Sequence, residues 1–184
     1  MINILGIFLS EANAKGKKLP NKDINTKYLA LEGLFKLAKY TTGNKILKDH
    51  CSVIISSLHD NDLSIRKKAL ELMFLICTEE SVKLIIKEML LYFKENEPQL
   101  KEDISLKVAI LAEKYAQDFK FYIESILKMI ELAGEYVTED ILFRFYQLMT
   151  GFENQEQLDF IQKYAVEKVT RLLEKDYSNE NAVS

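Results

Sequence analysis

The feature that most constrains this chain is a unit that comes back. Asp62-Leu63-Ser64-Ile65-Arg66-Lys67-Lys68-Ala69-Leu70-Glu71-Leu72 opens a helical pattern after a polar turn. Thirty-nine residues earlier, Asp23-Ile24-Asn25-Thr26-Lys27-Tyr28-Leu29-Ala30-Leu31-Glu32 has the same frame, with Lys27 in the place of Arg66 and Ala-Leu-Glu following after two residues. About thirty-five residues later, Leu100-Lys101-Glu102-Asp103-Ile104 repeats it more loosely. Self-similarity at this period, with two helical patterns in each, predicts an all-α solenoid, a right-handed α-α superhelix. One such unit cannot bury its apolar face alone, so it stacks on its neighbours, and its function lies in surface and shape.

The punctuation predicts four helix pairs over residues 25–176. The first spans 25–58, with Thr41-Thr42-Gly43-Asn44 as its turn; the second spans 63–93, the third 99–133 and the fourth 139–175. His59-Asp60-Asn61-Asp62 supplies capping residues, Pro98 suits a helix start, Gly134 a C-terminal cap, and Thr138-Glu139-Asp140 an N-cap with acids where the helix dipole favours them. Asn154-Gln155-Glu156-Gln157 has the spacing of a capping box. Stripes at steps of three and four name the expected core: Ile65, Ala69, Leu72 and Ile76; Leu100, Ile104, Val108, Leu111 and Tyr115; Phe119, Tyr122, Ile126, Ile130 and Ala133; Leu158, Ile161, Ala165, Val169 and Leu172. Residues 1–24 read as a short apolar helix, Ile2–Leu9, plus a basic loop. Residues 177–184 read as a polar, frayed tail. The first helix has no basic stretch before it and no small-residue cleavage pattern after it, so it is read as a helix whose packing partner precedes it and not as a signal peptide.

Groups that could do chemistry are scattered. His50 and His59 have no His, Cys or carboxylate partner at ligand spacing, and Cys51 and Cys77 sit in apolar helical patterns as reduced core thiols. Gly16-Lys17-Lys18 lacks the upstream glycine and the following Ser/Thr of a phosphate-binding loop. Carboxylate neighbours such as Glu79/Glu80 and Glu95/Glu97 lie at turns, where neither member is desolvated as an acid–base pair requires. No enzyme, cofactor or metal is expected. The aromatics Phe119, Phe121, Tyr122, Phe143, Phe145 and Tyr146 are read as core packing between repeats rather than stacking platforms for single-stranded nucleic acid. The in-frame cations Lys27 and Arg66 are expected to bond an acid or a turn carbonyl of a neighbouring repeat.

Charge is uneven. Residues 1–50 carry nine lysines against four acids, while the rest is acidic enough to bring the whole chain to −3. The acidic body repels phosphate, so no nucleic acid is expected, although a helical-repeat RNA-binding scaffold is the alternative function. Lys15, Lys17, Lys18 and Lys22 could meet an anionic lipid surface, though a solvated lysine-rich loop is the plainer account of them. No run reaches the roughly 18 apolar residues of a membrane span.

Asp62–Leu72 resembles the HEAT-repeat pattern of an acid, a β-branched residue, Arg, then Ala-Leu. Asn25–Glu32, Lys107-Val108-Ala109-Ile110-Leu111-Ala112-Glu113-Lys114-Tyr115-Ala116, Tyr122–Lys128 and Ala133–Val137 together resemble the large-chain adaptins. The similarity covers roughly residues 25–175. The stretch 107–116 is most like the alpha chains of that family; Leu148–Phe152 with Tyr164-Ala165-Val166 is similar to the epsilon chains, and both remain open. The resemblance implies a cytoplasmic scaffold, peripheral to membranes at coated pits, coated vesicles or the Golgi. Its partners would be a second large chain and the medium and small adaptor chains. The stretch Glu11–Lys22 is longer than the family's connection at that place. The lysines that bind phosphoinositide in alpha chains have no counterpart here.

Overall fold

The computed structural model describes residues 22–40, 50–94, 98–115, 119–151 and 155–181, and every regular element among them is helical. Helix α1 runs Lys22–Tyr40. Helix α2, Cys51–Ser56, continues as a 3-10 turn over Ser57–His59. Helix α3 is Leu63–Ile76 and α4 is Val82–Tyr92. A 3-10 turn at Pro98–Leu100 leads into α5, Lys101–Lys114. Helix α6, Phe119–Ala133, runs into a 3-10 turn at Gly134–Tyr136, followed by α7, Glu139–Thr150, and α8, Gln155–Asn181. The residues fall into two compact units, 1–88 and 89–184.

Local chemistry sets these boundaries. Asp62 is the N-cap of α3: its backbone is extended and its Oδ1 accepts from the amides of Ser64 at 2.8 Å and Ile65 at 3.2 Å. The start of α4 is closed by Thr78 and Ser81, whose hydroxyl accepts from the Thr78 amide at 2.9 Å. In α5 the acids Glu102 and Asp103 occupy the first turn and Lys114 the last, the arrangement the helix dipole favours. Three buried hydroxyls, Ser57, Ser105 and Ser125, each donate to the carbonyl four residues back, so burial leaves them satisfied.

Each unit buries its own apolar stripe. In the first, Leu31, Leu34, Ile54, Leu58, Ile65, Leu70, Leu72 and Met73 have no exposed surface. In the second, Ile104, Val108, Ile123, Ile126 and Met129 fill the same role. The burial pattern pairs Ile65 with Ile104, a spacing of thirty-nine residues, so the third occurrence of the unit lies four residues beyond the sequence match at Leu100.

Several expectations shift. Helix α1 begins at Lys22, before the expected start at 25, so that lysine is helical rather than part of a loop. Gly134 does not close α6 in the left-handed conformation, because the chain tightens into a 3-10 turn instead. Thr138 does stand at the N-cap of α7 with extended backbone, but its side chain makes no capping bond. Helix α8 continues past Lys175 to Asn181, since neither glycine nor proline interrupts it. Residues 1–21, 41–49 and the box residue Asn154 lie outside the described residues. Val169, expected in the core, is 37% exposed: the stripe that faces α6 runs through Ile161, Ala165, Lys168 and Leu172, and Val169 stands one helical step round from it.

Candidate interaction surface

The first of the in-frame cations bonds an acid in the turn before the next unit. Lys27, only 8% exposed, donates through Nζ to Asp60 Oδ2 at 2.5 Å. Asp60 lies in the turn before α3, and its other oxygen accepts from the Asp62 amide at 2.9 Å. One carboxylate therefore joins the recurring cation of α1 to the capping turn of α3. Arg66 is buried as well, at 6% exposure.

A second cross-link lies on the flank of the same two helices. Lys68 Nζ is 2.8 Å from Glu32 and 2.8 Å from Glu71, and it stands 4.7 Å from the Phe35 ring centroid and 6.0 Å from that of Tyr28. Burial pulls the Lys68 ammonium down, but the hydrogen bonds it donates to both carboxylates outweigh this and hold the group above the ordinary lysine range. The bond to Lys68 holds Glu32 below the ordinary carboxylate value against the opposing effect of burial.

The other unit repeats the device. Arg144 of α7 forks onto Glu113 of α5, Nη2 to Oε1 at 2.8 Å and Nε to Oε2 at 3.0 Å. Lys68 and Arg144 are each the sixth residue of their helices; Glu32 and Glu113 are the eleventh and thirteenth of theirs. At 100° per residue the acid falls on one side of its helix's buried stripe and the cation on the opposite side of the next. The two ion pairs thus bridge the flanks of successive first helices, α1 to α3 and α5 to α7, with the same polarity. A seam of second helices lies beside the latter. Glu124 of α6 accepts from Tyr164 Oη at 2.5 Å and Lys168 Nζ at 2.7 Å, and Lys120 lies over Phe160 and Tyr164 at 5.3 and 5.6 Å. The bond from Lys168, then that from Tyr164, holds Glu124 low; the bond to Glu124 raises Tyr164. Tyr122 stacks on Phe145 of α7 at 6.0 Å, and burial, with the Glu113 charge adding to it, pushes its phenol up to about 12. Periodicity alone missed these seams. An acid late in one first helix and a cation five residues into the next was the available signal.

Lys15, Lys17 and Lys18 lie outside the described residues, and Lys22 is the first residue of α1. His59 Nε2 is 4.0 Å from Glu88, and Cys51 and Cys77 are free thiols, half-buried and buried. Among the described residues there is no group of three metal-ligating side chains and no helix long and apolar enough to cross a membrane. Two aromatics expected in the core are on the surface: Phe143 is 63% and Tyr146 65% exposed, because only Ile141 and Met149 of α7 are fully enclosed while Phe145 takes the inward position. Leu142 of α7 and Val166 and Leu173 of α8 are further exposed apolar side chains of the second unit, while Phe160, also exposed, lies under Lys120 on the side towards α6.

These features define an all-α helical-repeat protein of the HEAT/armadillo-like class. The chain belongs to the adaptin family: the family described as the adaptin N terminal region matches residues 9–184. It is 39% identical over 168 residues to AP-2 complex subunit alpha-1 of Arabidopsis thaliana, covering 91% of this chain and 16% of that protein. It is 32% identical over 169 residues to AP-2 complex subunit alpha-2 of Dictyostelium discoideum, again 91% of this chain and 16% of the relative. With AP-1 complex subunit gamma-2 of Arabidopsis thaliana it shares 32% identity over 178 residues, 97% of this chain and 20% of that protein. The chain therefore spans between a sixth and a fifth of the length of these relatives.

Proposed function

We propose that this chain is a trunk segment of the large subunit of a clathrin-adaptor complex and serves vesicle-mediated protein transport as a scaffold. Its work is geometric. Within each unit successive first helices are joined flank to flank, and their outer faces serve as contact surface for the second large chain and the medium and small chains of the complex. Binding is spread over many shallow contacts. The observation that supports the reading is the seam itself: Lys68 and Arg144 are both the sixth residue of their helices, and each pairs with an acid late in the preceding first helix, Glu32 or Glu113. The family membership and the names of the relatives, subunits of AP-2 and AP-1 complexes, supply the kind of assembly. Co-expression with a small and a medium adaptor chain tests it. Stable co-purification is the expected result, and the absence of any complex with adaptor chains of either type sinks it.

The lysine excess of the first fifty residues supports a lesser role, contact of Lys15, Lys17, Lys18 and Lys22 with an anionic membrane. Pelleting with phosphatidylserine vesicles but not with neutral ones is the expected outcome; equal pelleting removes it.

A further inference from the structure

Helix α4 presents a face of lysine and leucine. At 100° per residue, Val82, Ile85, Ile86, Met89 and Tyr92 form its buried arc. Opposite lie Lys83, Leu84, Lys87 and Leu91, all exposed, Leu84 at 49% and Leu91 at 37%. The leucines stand two turns apart on the outward side, about 10 Å along the axis, and the lysines run beside them. Lys87 has no acid partner among the described residues. The one acid of α4, Glu88, is turned aside to His59, 4.0 Å from its Nε2, and Glu79 and Glu80 sit in the turn before the helix. On α6 and α8, by contrast, exposed cations are engaged: Lys128 is 2.6 Å from Glu131, Lys168 2.7 Å from Glu124 and Arg171 2.6 Å from Glu167.

We infer that this face of α4 docks on an anionic lipid surface, with Leu84 and Leu91 entering the headgroup layer and Lys83 and Lys87 meeting lipid phosphates. The inference goes beyond the scaffold reading and needs none of the lysines of the first fifty residues. Charge complementarity sets the sign of the partner, since the face carries cations and no acid. Shape decides between a bilayer and a protein. The face is the convex ridge of a single helix, and along its axis Lys87 stands between the two leucines. A helix packed along Leu84 and Leu91 would enclose the Lys87 ammonium, which is costly unless an acid stands at one fixed place. A bilayer needs no such match: the lysine stem lies along the apolar layer while its head reaches a phosphate. The leucines leave water on docking, and the negative surface potential attracts each lysine, an attraction that fades as salt rises.

The chain contains no tryptophan, so Leu91→Trp puts a single fluorescent reporter on the face. In the whole chain its emission should shift to the blue with vesicles of phosphatidylserine and phosphatidylcholine, and stay unchanged with phosphatidylcholine alone. Phe143→Trp, on α7, should shift with neither. In pelleting with the same anionic vesicles, Lys83→Ala with Lys87→Ala should weaken binding roughly fivefold or more, and Leu84→Ser with Leu91→Ser roughly threefold or more. Lys163→Ala, which removes an exposed charge from α8, should leave it unchanged. Circular dichroism checks that each variant keeps its helix content. No blue shift from Leu91→Trp, an equal shift from Phe143→Trp, or equal weakening by Lys163→Ala overturns the inference. So does binding that is abolished by changing Lys15, Lys17 and Lys18 to alanine and is indifferent to the α4 variants, since the contact then lies wholly in the first fifty residues. A blue shift with an acidic helical peptide but not with vesicles gives the face to a protein and overturns it as well.

Discussion

The seams α1–α3 and α5–α7 follow one plan and differ in burial. In the first, the Lys27 side chain is 10% exposed and that of Lys68 14%. In the second, the side chains of Arg144 and Glu113 are 62% and 34% exposed. The second has the better geometry, a two-pronged fork, and water on most sides. An ion pair in high dielectric gains little however well its atoms are aimed, whereas a buried one is costly to break because the surviving charge is stranded. The same contact is thus structural in one unit and mainly positional in the other.

The largest effect is expected at Asp60. Asp60→Ala leaves the Lys27 ammonium buried without its acid and removes the acceptor of the Asp62 amide, at a cost of about 3 kcal/mol in chemical denaturation. For a chain of this size that lowers Tm by roughly 6–12 °C. Adding Lys27→Met to Asp60→Ala sharpens the comparison. It removes the stranded charge and should restore most of the loss, leaving about 1 kcal/mol for the turn amide. If the double variant is no better than the single one, the burial argument is wrong.

Acidification separates the units from the rest of the chemistry. Glu32 and Glu124 are both held below the ordinary carboxylate pKa of 4.5 in the folded chain. A lowered folded value contributes stability that is complete above the unfolded pKa and is lost as pH falls through the folded one. Stability should therefore decline below about pH 4.5, and Glu32→Gln should flatten that decline for the first unit more than Glu124→Gln does for the second. A decline of unchanged steepness in both variants would break the assignment. Tyr164→Phe, which removes one bond to Glu124 and leaves Lys168 in place, should cost about 0.5–1 kcal/mol.

Why some of this was legible in sequence and some not has a physical answer. The repeat frame named inward residues of α3 and α5, because an apolar stripe at steps of three and four is buried on one side; on α6 it found Tyr122, Ile126 and Ala133, while Phe119 and Ile130 are half-buried and Ile123 and Met129 fill the core instead. Lys27 was legible too, since a cation that recurs in a buried frame needs an acid, and Asp60 stands in the nearest turn. Lys68 was not. Beside Lys67 and Glu71 it reads as a solvated charge, and only the neighbouring helix brings Glu32 and Phe35 to it. Phe143, Tyr146 and Val169 failed for the complementary reason. Their composition says core, but composition does not say whether a neighbour covers that side of the helix, and among the described residues no helix lies over the far flank of α7 and α8. Their exposure was hidden because an exposed apolar flank and a buried one are the same string of letters.

The smallest expected effect is the most diagnostic of the shared plan. Glu113→Ala and Arg144→Ala should each move Tm by less than about 2 °C, because both side chains are well solvated and the pair is screened by salt. A double-mutant cycle should still detect coupling at low ionic strength and lose it as salt rises towards 1 M, where the screening length falls to about 3 Å. The matching cycle on Glu32 and Lys68 should keep most of its coupling under the same salt, since the Lys68 ammonium is enclosed by Phe35 and Tyr28 as well as by its acids. If salt erased both couplings alike, burial would not be what distinguishes the seams. If neither cycle showed coupling at any salt, flank-to-flank locking would not be what holds successive helices in register.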